Sequence, residues 1–501
     1  MSVRPSQRDD HRRRPAAILD VTQYCDRHAA PTDPAPCRFP NARRSLLGGD
    51  RQQLTRSGPA ALPTGAPRAQ TALDNLYAGL QTADEREAAY DGFVRAQLKR
   101  NYAAHFVHGM FGMTGFRLVN APTFVPAYLH LLSGSDVVVG LGLALQQLGG
   151  VPSGVIGAAQ IEHRKSVLRM SMIFGTLMRF QILGLAISGF VLTGEAQLVA
   201  AMFFLFTLGL FSGPQNVVFQ YLLAKVIPIE WRGRLQGLRN MMGGLVAAAL
   251  AYWAGHYLID NNVLGNGYAA TFLAAFVLTS LGLLALRLLI REPEPPTLRA
   301  PMRFADRMRE FPALLRADRD FFYFMIARTF AVAGRVASPF YIIYAAHEIA
   351  LTGRAIGLLT FGFLIASTVS NLWWGPLCDR YGFRVCFVGA LVAWIAATIL
   401  LMGVSDLWFI FAAFFGLGAA AAGYQLSSHN IVLEFGHRDD MAMRLALSNT
   451  AESVMSTLGP LAGGMIAATL GYAAVFWTSV ALLGVALVLL IVRVKEPRGR
   501  A

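Results

Sequence analysis

Long apolar runs separated by short polar segments occupy the chain from about residue 100 almost to its end. A helix needs roughly 20 apolar residues to cross the hydrocarbon core of a bilayer, and each run reaches that length. The pattern predicts twelve membrane spans, numbered 1 to 12 in chain order. Their expected ranges are 103–130, 137–161, 167–191, 197–226, 235–259, 267–290, 320–347, 355–377, 384–404, 407–433, 442–469 and 472–493. The pattern therefore indicates an all-α polytopic membrane protein.

Composition supports the same class. The chain has 501 residues, of which 54% are hydrophobic and 15% charged, whereas a soluble protein carries about 25% charged residues. The four cysteines, Cys25, Cys37, Cys378 and Cys386, lack the spacing of a metal site. We expect them to be reduced thiols, with no metal, cofactor or disulfide. Residues 1–70 also lack the apolar core of a secretory signal.

Lysine and arginine are distributed unequally between the two sides of the predicted bundle. The short connections 131–136, 260–266 and 405–406 contain neither residue, and the connections on the opposite side hold most of the basic charge. Cytoplasmic loops of membrane proteins are enriched in these residues, so we expect both termini in the cytoplasm and the protein in the bacterial inner membrane. The net charge of +14 then reflects topology, and we expect no nucleic-acid partner.

The segments outside the spans complete the predicted organisation. Residues 1–70 are rich in Arg, Pro and Ala without an apolar period, which predicts a disordered cytosolic tail. This tail either has no function or is an output module. The third alternative is that the true start codon lies downstream of it. The expected regions are the tail 1–70, an amphipathic segment 71–101, a first six-span unit 102–290, a central loop 291–319, a second six-span unit 320–494 and a tail 495–501.

Polar residues recur at equal spacing in the two halves. The spacing is 40 residues from Arg117 to Gly157 and from Arg335 to Gly375, and 19 residues from Gln215 to Arg234 and from Gln425 to Arg444. Charged and amide groups are costly inside a bilayer, so such coincidences indicate a duplicated six-span unit. A parallel repeat places span 1 opposite span 7, and span 4 opposite span 10, around a central cavity.

The connection between spans 8 and 9 carries the motif GPLCDRYGFR. Its Gly375, Asp379, Arg380, Gly382 and Arg384 fit the loop signature of the major facilitator superfamily. With twelve spans and two six-span halves, residues ~101–495 resemble that family of secondary transporters. The resemblance implies two pseudo-symmetric six-helix bundles and transport by alternating access. It also implies a small-molecule solute as the partner.

The equivalent connection after span 2, GAAQIEHRKSVLR, departs from the signature because Ile161 stands where the family has Asp. By resemblance, Asp379 is expected to face Arg234, and Glu162 to face Arg444, when the cytosolic mouth closes. Such contacts are stabilised by helix N-termini. The alternative is that these charges only anchor the loops to the cytosolic side. The gating candidates are Glu162, Arg164, Arg234, Asp379, Arg380, Arg384 and Arg444.

Polar residues inside the spans predict a solute site. Arg117 and Arg335 lie ~22 Å along their helices, near the membrane middle. They could bind an anion together, hydrogen-bond helix carbonyls near proline bends, or pair with Glu452. The amides could line the cavity or join helices. The candidate binding residues are Arg117, Asn120, Gln215, Arg335, Gln425 and Asn430, with Arg179 and Arg328 as further mid-span arginines.

Glu452 and His429 are the candidates for proton coupling, although a buried histidine is often only part of the core. The chain carries no P-loop, so direct ATP drive is not expected. We therefore predict a monomeric, lipid-embedded secondary transporter of a small polar solute, with an organic anion as one candidate and protons as the coupling ion. The alternatives are an efflux pump for amphipathic or lipid-like compounds and a non-transporting sensor or scaffold. We expect no enzymatic activity, because no metal box or GxSxG elbow is present.

Overall fold

The computed structural model describes residues 83–151, 166–293, 318–435 and 441–495, in which all regular elements are helices. Most predicted spans appear as single helices or as two abutting ones. The helices are Ala83–Ala96, Leu98–His108, Thr114–Asn120, Phe124–Ser133, Asp136–Gly150, Val167–Val191, Gly194–Val226, Ile229–Trp253, Gly267–Leu289, Arg319–Ala333, Tyr341–Glu348, Gly353–Val369, Asn371–Tyr381, Phe383–Met402, Leu407–Leu433, Met441–Leu470 and Tyr472–Val492. Short π turns at Gly109–Met113 and Ala254–Ile259 and 3₁₀ turns at Val263–Gly265 and Gly334–Phe340 join or extend them.

Nine of the described helices are long and apolar enough to cross a membrane, and they coincide with predicted spans 3 to 6 and 8 to 12. Spans 1 and 7 are interrupted, which the apolar pattern did not predict. Span 1 breaks at Ala121, where the backbone becomes extended before Pro122, because proline disfavours a helical residue before it. Span 7 tightens into a 3₁₀ turn that contains Pro339. Span 2 is described only as Asp136–Gly150, because 152–165 lie outside the described residues.

Helix contacts confirm the predicted repeat. In the first half, the packed pairs are spans 1 and 5, 1 and 6, 2 and 4, 3 and 4, and 3 and 6. In the second half, the same pairs recur six spans later: 7 and 11, 7 and 12, 8 and 10, 9 and 10, and 9 and 12. Each half is thus a six-span unit with the same internal packing. The halves meet mainly where span 2 contacts span 11 and span 5 contacts span 8.

Glycines let the two halves approach at one end of the bundle, which we call the short-loop face. This face carries the connections 134–135, 192–193, 260–266, 349–352, 403–406 and residue 471. Gly140 of span 2 lies against Pro460 and Gly464 of span 11, and Gly255 of span 5 lies against Gly353 and Gly357 of span 8. No side chain separates the helices at these points, so the backbones pack closely and the halves are closed on this face.

The halves diverge toward the opposite end, which we call the basic face and which carries Arg100, Lys225, Arg232, Arg384 and Arg493. Span 5 packs along Gly353–Val369 but makes at most marginal contact with the continuation of span 8, Asn371–Tyr381. Gly233, Gly237 and Gly375 all face open space. The structure is therefore the conformation that is closed on the short-loop face and open on the basic face.

Glu292 ties three spans of the first half together at the basic face. Its carboxylate accepts hydrogen bonds from the backbone N–H groups of Val167 (2.7 Å) and Leu168 (3.0 Å) at the start of span 3. It also pairs with Lys225 Nζ at the end of span 4, at 2.7 Å. A carboxylate at a helix start satisfies unpaired N–H groups and the helix dipole. Glu292, at the end of span 6, therefore fixes the relative positions of spans 3, 4 and 6.

Replacing Glu292 with Ala is expected to lower the free energy of unfolding by about 2–3 kcal/mol. Lys225 would be left buried without this partner, and the start of span 3 would lose its acceptor. The melting temperature of the purified protein measures this loss. Glu230→Ala is the matched control. Glu230 likewise places a carboxylate at the first turn of a helix at the basic face, but its side chain is exposed. Equal melting temperatures for the two variants would contradict the structural role of Glu292.

Candidate functional site

A cavity of about 170 Å³ lies between the two halves and is lined by residues of spans 1, 2, 7 and 11. Much of its wall is apolar. Its polar lining consists of Asn120, Gln146, Gln147, Arg335, Ser338 and Ser456. Asn120 Oδ1 accepts a hydrogen bond from Gln146 Nε2 at 3.1 Å, which orders this part of the wall. Two candidate binding residues, Asn120 and Arg335, therefore line one cavity between the halves. Spans 1 and 7 meet at this cavity as the repeat predicted, whereas spans 4 and 10 contribute no residue to its described lining.

Arg335 is the charged residue of this wall. The 3₁₀ turn of span 7 carries it, and Ser479 satisfies the carbonyl of Gly334 beside it by donating a 2.5 Å hydrogen bond. The guanidinium lies 5.3 Å from the ring centre of Tyr424 and 5.7 Å from that of Trp394. Its side chain is 38% exposed, and its Nε has no hydrogen-bond partner among the described residues. The faces of Tyr424 and Trp394 thus hold the guanidinium in place, and its N–H donors remain available to the cavity.

Glu452 of span 11 joins the two arginines of span 7. Its Oε2 is 2.5 Å from Arg328 Nη2, and its Oε1 is 3.8 Å from Arg335 Nη1. Arg328 is 2% exposed and also donates a hydrogen bond to Ser448 Oγ. His429 Nδ1 lies 3.5 Å from Arg328 Nη2. We call Arg328, Arg335, His429, Ser448 and Glu452 the span 7–11 cluster, and it brings both predicted coupling residues together beside Arg335, the member of the cluster that lines the cavity.

Arg328 lies at the centre of this cluster, yet it was not among the predicted binding or coupling residues. The sequence contained a pattern that could have identified it. Arg328 precedes Arg335 by seven residues, which is about two helical turns, so both side chains lie on one face of span 7. Two arginines on one face of a membrane span require a nearby acid, and Glu452 is the clearest acid inside a span.

The repeat-related pair of arginines does not share one set of partners. Arg117 Nη1 donates to Thr368 Oγ1 of span 8 at 3.4 Å and lies beside Gly244, whereas Arg335 reaches Glu452. Arg117 is not among the residues that line the described cavity. Of the three roles considered for Arg335, pairing with Glu452 is the one that the structure contains, and it leaves the exposed side of the guanidinium available.

The remaining amides lie away from this cavity wall. Gln215 is 5% exposed and donates to Ser171 Oγ at 3.3 Å, which joins spans 4 and 3 as the interhelical alternative predicted. Asn430 donates to the carbonyl of Leu426 in its own helix at 2.7 Å. Gln425 is exposed on span 10. The spacing of these amides located repeat-related positions without showing which way the side chains point.

The gating candidates occupy the open basic face, except that Glu162 and Arg164 lie outside the described residues. Arg444 forms an ion pair with Asp318 at 2.7 Å, within the second half. The other described arginines contact neighbours in their own half: Arg234 lies over Trp231, Arg380 lies over Tyr381, and Arg384 donates to the carbonyls of Leu490 and Ile491. A latch between the halves at this face remains a proposal, to be sought in the opposite conformation.

The sequence did not predict the polar contacts that close the short-loop face. Tyr472 Oη donates to Asp136 at 2.8 Å, and Asp136 also lies 3.6 Å from His130 Nδ1. Asp260 accepts a 2.9 Å hydrogen bond from the backbone N–H of Arg354 at the start of span 8. The signal was available, because acids are scarce in this chain and two of them stand next to short loops.

Comparison with known proteins relates the second half of the chain to a known family. A family model described as Major Facilitator Superfamily matches residues 321–501. A crystal structure of the nucleoside transporter NupG aligns over 79% of this chain and all of its own, with a TM-score of 0.63 and 14% identity. A D-xylose–proton symporter aligns over 80% of this chain and 99% of its own, with a TM-score of 0.62 and 13% identity. The second half of the chain therefore matches the major facilitator superfamily, and the described residues share the fold of these solved transporters.

A curated relative adds a sequence match within this superfamily. An MFS-type efflux pump of Mycolicibacterium smegmatis is 29% identical over 153 residues, which is 30% of this chain and 36% of that protein. The match thus spans only about a third of the relative. The solved structures are too distant in sequence to indicate more than the fold. The family match and the nine described helices that are long and apolar enough to cross a membrane indicate an integral membrane protein.

Proposed function

We propose that this chain is a member of the major facilitator superfamily and a proton-coupled secondary transporter that moves a small polar solute by alternating access. The observation that supports the coupling is the ion pair of Glu452 and Arg328 next to Arg335, because Arg335 also lines the central cavity. Intramembrane carboxylates often mark the proton relays of transporters.

Protonation of Glu452 changes what Arg335 can bind. While the carboxylate is ionised, it attracts both arginines and offsets one of their two positive charges. Once protonated, it loses most of its attraction for Arg335, whose 38% exposed guanidinium then holds an unneutralised charge at the cavity. A carboxylate or phosphate group on the solute can take that place. Proton and anionic solute are therefore expected to bind together, because each favours the state that the other requires.

Efflux of amphipathic compounds is the second candidate. The matched relative is named an efflux pump, and the cavity wall contains apolar residues such as Val119, Leu143, Val332 and Met455 beside the polar ones. An amphipathic solute could place its apolar part against these residues and its polar part near Arg335. The two candidates differ in the solute class and in the direction of the proton-driven movement.

The orientation proposed for either function follows from the basic face. Arginine and lysine concentrate there, so we place this face, and with it both chain termini, on the cytoplasmic side of a bacterial inner membrane. The described conformation then opens to the cytoplasm. We keep a monomer as the expected functional unit.

Solute-induced proton movement tests the proposal. The full chain is reconstituted into vesicles that contain a pH-sensitive dye, and monocarboxylates, sugar phosphates, sugars and amphipathic cations are added one at a time. At least one class is expected to change the internal pH with wild-type protein. Glu452→Gln is expected to reduce the initial rate at least tenfold, because the amide cannot ionise. Glu195→Gln, at an exposed position, is the control and should keep the wild-type rate.

Two outcomes contradict proton coupling. The first is uptake of a radiolabelled solute by wild-type vesicles with no accompanying pH change. The second is an unchanged proton signal in Glu452→Gln. An amphipathic cation as the active class, accumulating inside everted vesicles in exchange for luminal protons, would instead support the efflux candidate.

A further inference from the structure

A second cluster of basic side chains lies in the first half, away from the cavity wall. It consists of Arg239 of span 5 and His105 and His108 of span 1. These side chains are buried, with exposed fractions of 4%, 0% and 7%. All three contact one ring: His105 and His108 have ring centres 5.4 and 4.8 Å from that of Phe219, and the Arg239 guanidinium carbon lies 5.3 Å from it.

The polar atoms of this cluster lack partners among the described residues. Nε and Nη1 of Arg239, both ring nitrogens of His105 and Nδ1 of His108 are buried without a hydrogen bond. Leaving a buried donor unsatisfied costs about 1–3 kcal/mol, and more for a charged group. Five such atoms surround one aromatic ring, whereas the equally buried Arg179 donates both to Thr279 and to Gly175.

The first half offers Arg239 no acid inside its spans. The described Asp and Glu side chains between residues 98 and 293 all lie at or beyond helix ends: Asp136, Glu195, Glu230, Asp260 and Glu292. The repeat offset of 210 residues, from Arg234 to Arg444, places Met242 at the position of Glu452. The second half thus has Glu452 as a counter-ion beside Arg328 and Arg335, and the first half has methionine at that position. Arg117 lies close enough to Arg239 to add to the positive potential.

We propose that Arg239, His105 and His108 form a binding site for a small monovalent anion of halide size, separate from the central cavity. An anion would neutralise Arg239, which is costly to bury alone. A neutral imidazole still has one N–H donor, so each histidine can contribute a hydrogen bond. The site is small because all three side chains pack on one ring, which excludes an organic solute. This inference does not depend on proton coupling at Glu452.

Thermal unfolding of the purified full chain tests the site. Melting temperatures are measured in sodium bromide and in sodium gluconate at equal ionic strength, because gluconate is too large to enter. An anion that binds only the folded state stabilises it, and the melting temperature rises as the anion concentration increases. The rise becomes less steep once the site is nearly saturated. Wild type is therefore expected to melt several degrees higher in bromide, with a concentration dependence that gluconate does not reproduce. Arg239→Gln is expected to lose this difference.

Arg179→Gln is the matched control. Arg179 is also buried, at 3% exposure, but its donors already have carbonyl acceptors. This variant should be less stable in both salts and keep the bromide-dependent difference. The proposal is overturned if wild type melts equally in the two salts, which is the result expected for water in the site. It is also overturned if Arg239→Gln retains the difference.

A direct measurement covers the case in which Arg239→Gln does not fold. Crystals of the wild-type protein grown in sodium bromide are expected to give an anomalous peak within hydrogen-bonding distance of Arg239. A bromide map with peaks only elsewhere would refute the site, whatever the melting data show. Failure of this proposal and failure of the transport proposal are distinguishable, because neither measurement depends on flux.

Discussion

Glu452→Ala is expected to lower the free energy of unfolding by about 3–5 kcal/mol, the range for removing one partner of a buried ion pair. Arg328 would remain 2% exposed with its charge uncompensated, because its other partners are the neutral Ser448 and His429. Arg335 is less affected, since its side chain is 38% exposed and rests on two aromatic rings. The melting temperature of the purified protein in detergent, or its resistance to denaturant, measures the loss.

A double variant separates loss of the pair from loss of packing. Arg328→Met with Glu452→Leu removes both charges and keeps similar volumes, so most of the stability lost in Glu452→Ala should return. Glu195→Ala is the control for removing an exposed glutamate and should melt like wild type. If Glu452→Ala melted like Glu195→Ala, the carboxylate could not be the buried counter-ion of Arg328.

Gly464→Leu is expected to open the short-loop face. A side chain at this position of span 11 would meet the backbone of Asp136 and Val137 in span 2, and backbone cannot rotate away as a flexible side chain can. The free energy of the closed conformation therefore rises, and the alternative state, in which the halves separate on this face, is favoured. Shifting a two-state equilibrium from 1:99 to 99:1 takes about 5.5 kcal/mol, a scale that overlap with packed backbone can supply.

Distances between spin labels measure this opening. Labels at Leu131→Cys and Leu470→Cys, which are 68% and 72% exposed at the short-loop ends of spans 1 and 11, report on the gap between the halves. The four native cysteines are replaced by serine in this background. The main distance should increase by several ångströms in Gly464→Leu. Gly484→Leu, a glycine of span 12 that faces open space, should leave it unchanged. An unchanged distance in both variants would mean that this glycine contact does not hold the halves closed.

The apolar pattern predicted the class, and the repeat spacing together with the GPLCDRYGFR motif predicted the two six-span units and the resemblance to the family. Both are properties of where residues stand along the chain: a bilayer demands long apolar runs, and a duplicated unit keeps its spacing. Glu452 and His429 were also identified from the sequence, because ionisable groups inside spans are rare and stand out.

Which polar residues meet was decided only by the tertiary structure. Arg117 and Arg335 occupy matched positions, yet one contacts Thr368 and the other Glu452. The breaks in spans 1 and 7 change helix direction there, and a helix rotation of a few tens of degrees moves a side chain from the cavity to a neighbouring helix. The span 7–11 cluster, the unpaired Arg239 and the glycine contacts at the short-loop face all depend on how helices distant in sequence pack, and sequence spacing alone does not specify that packing.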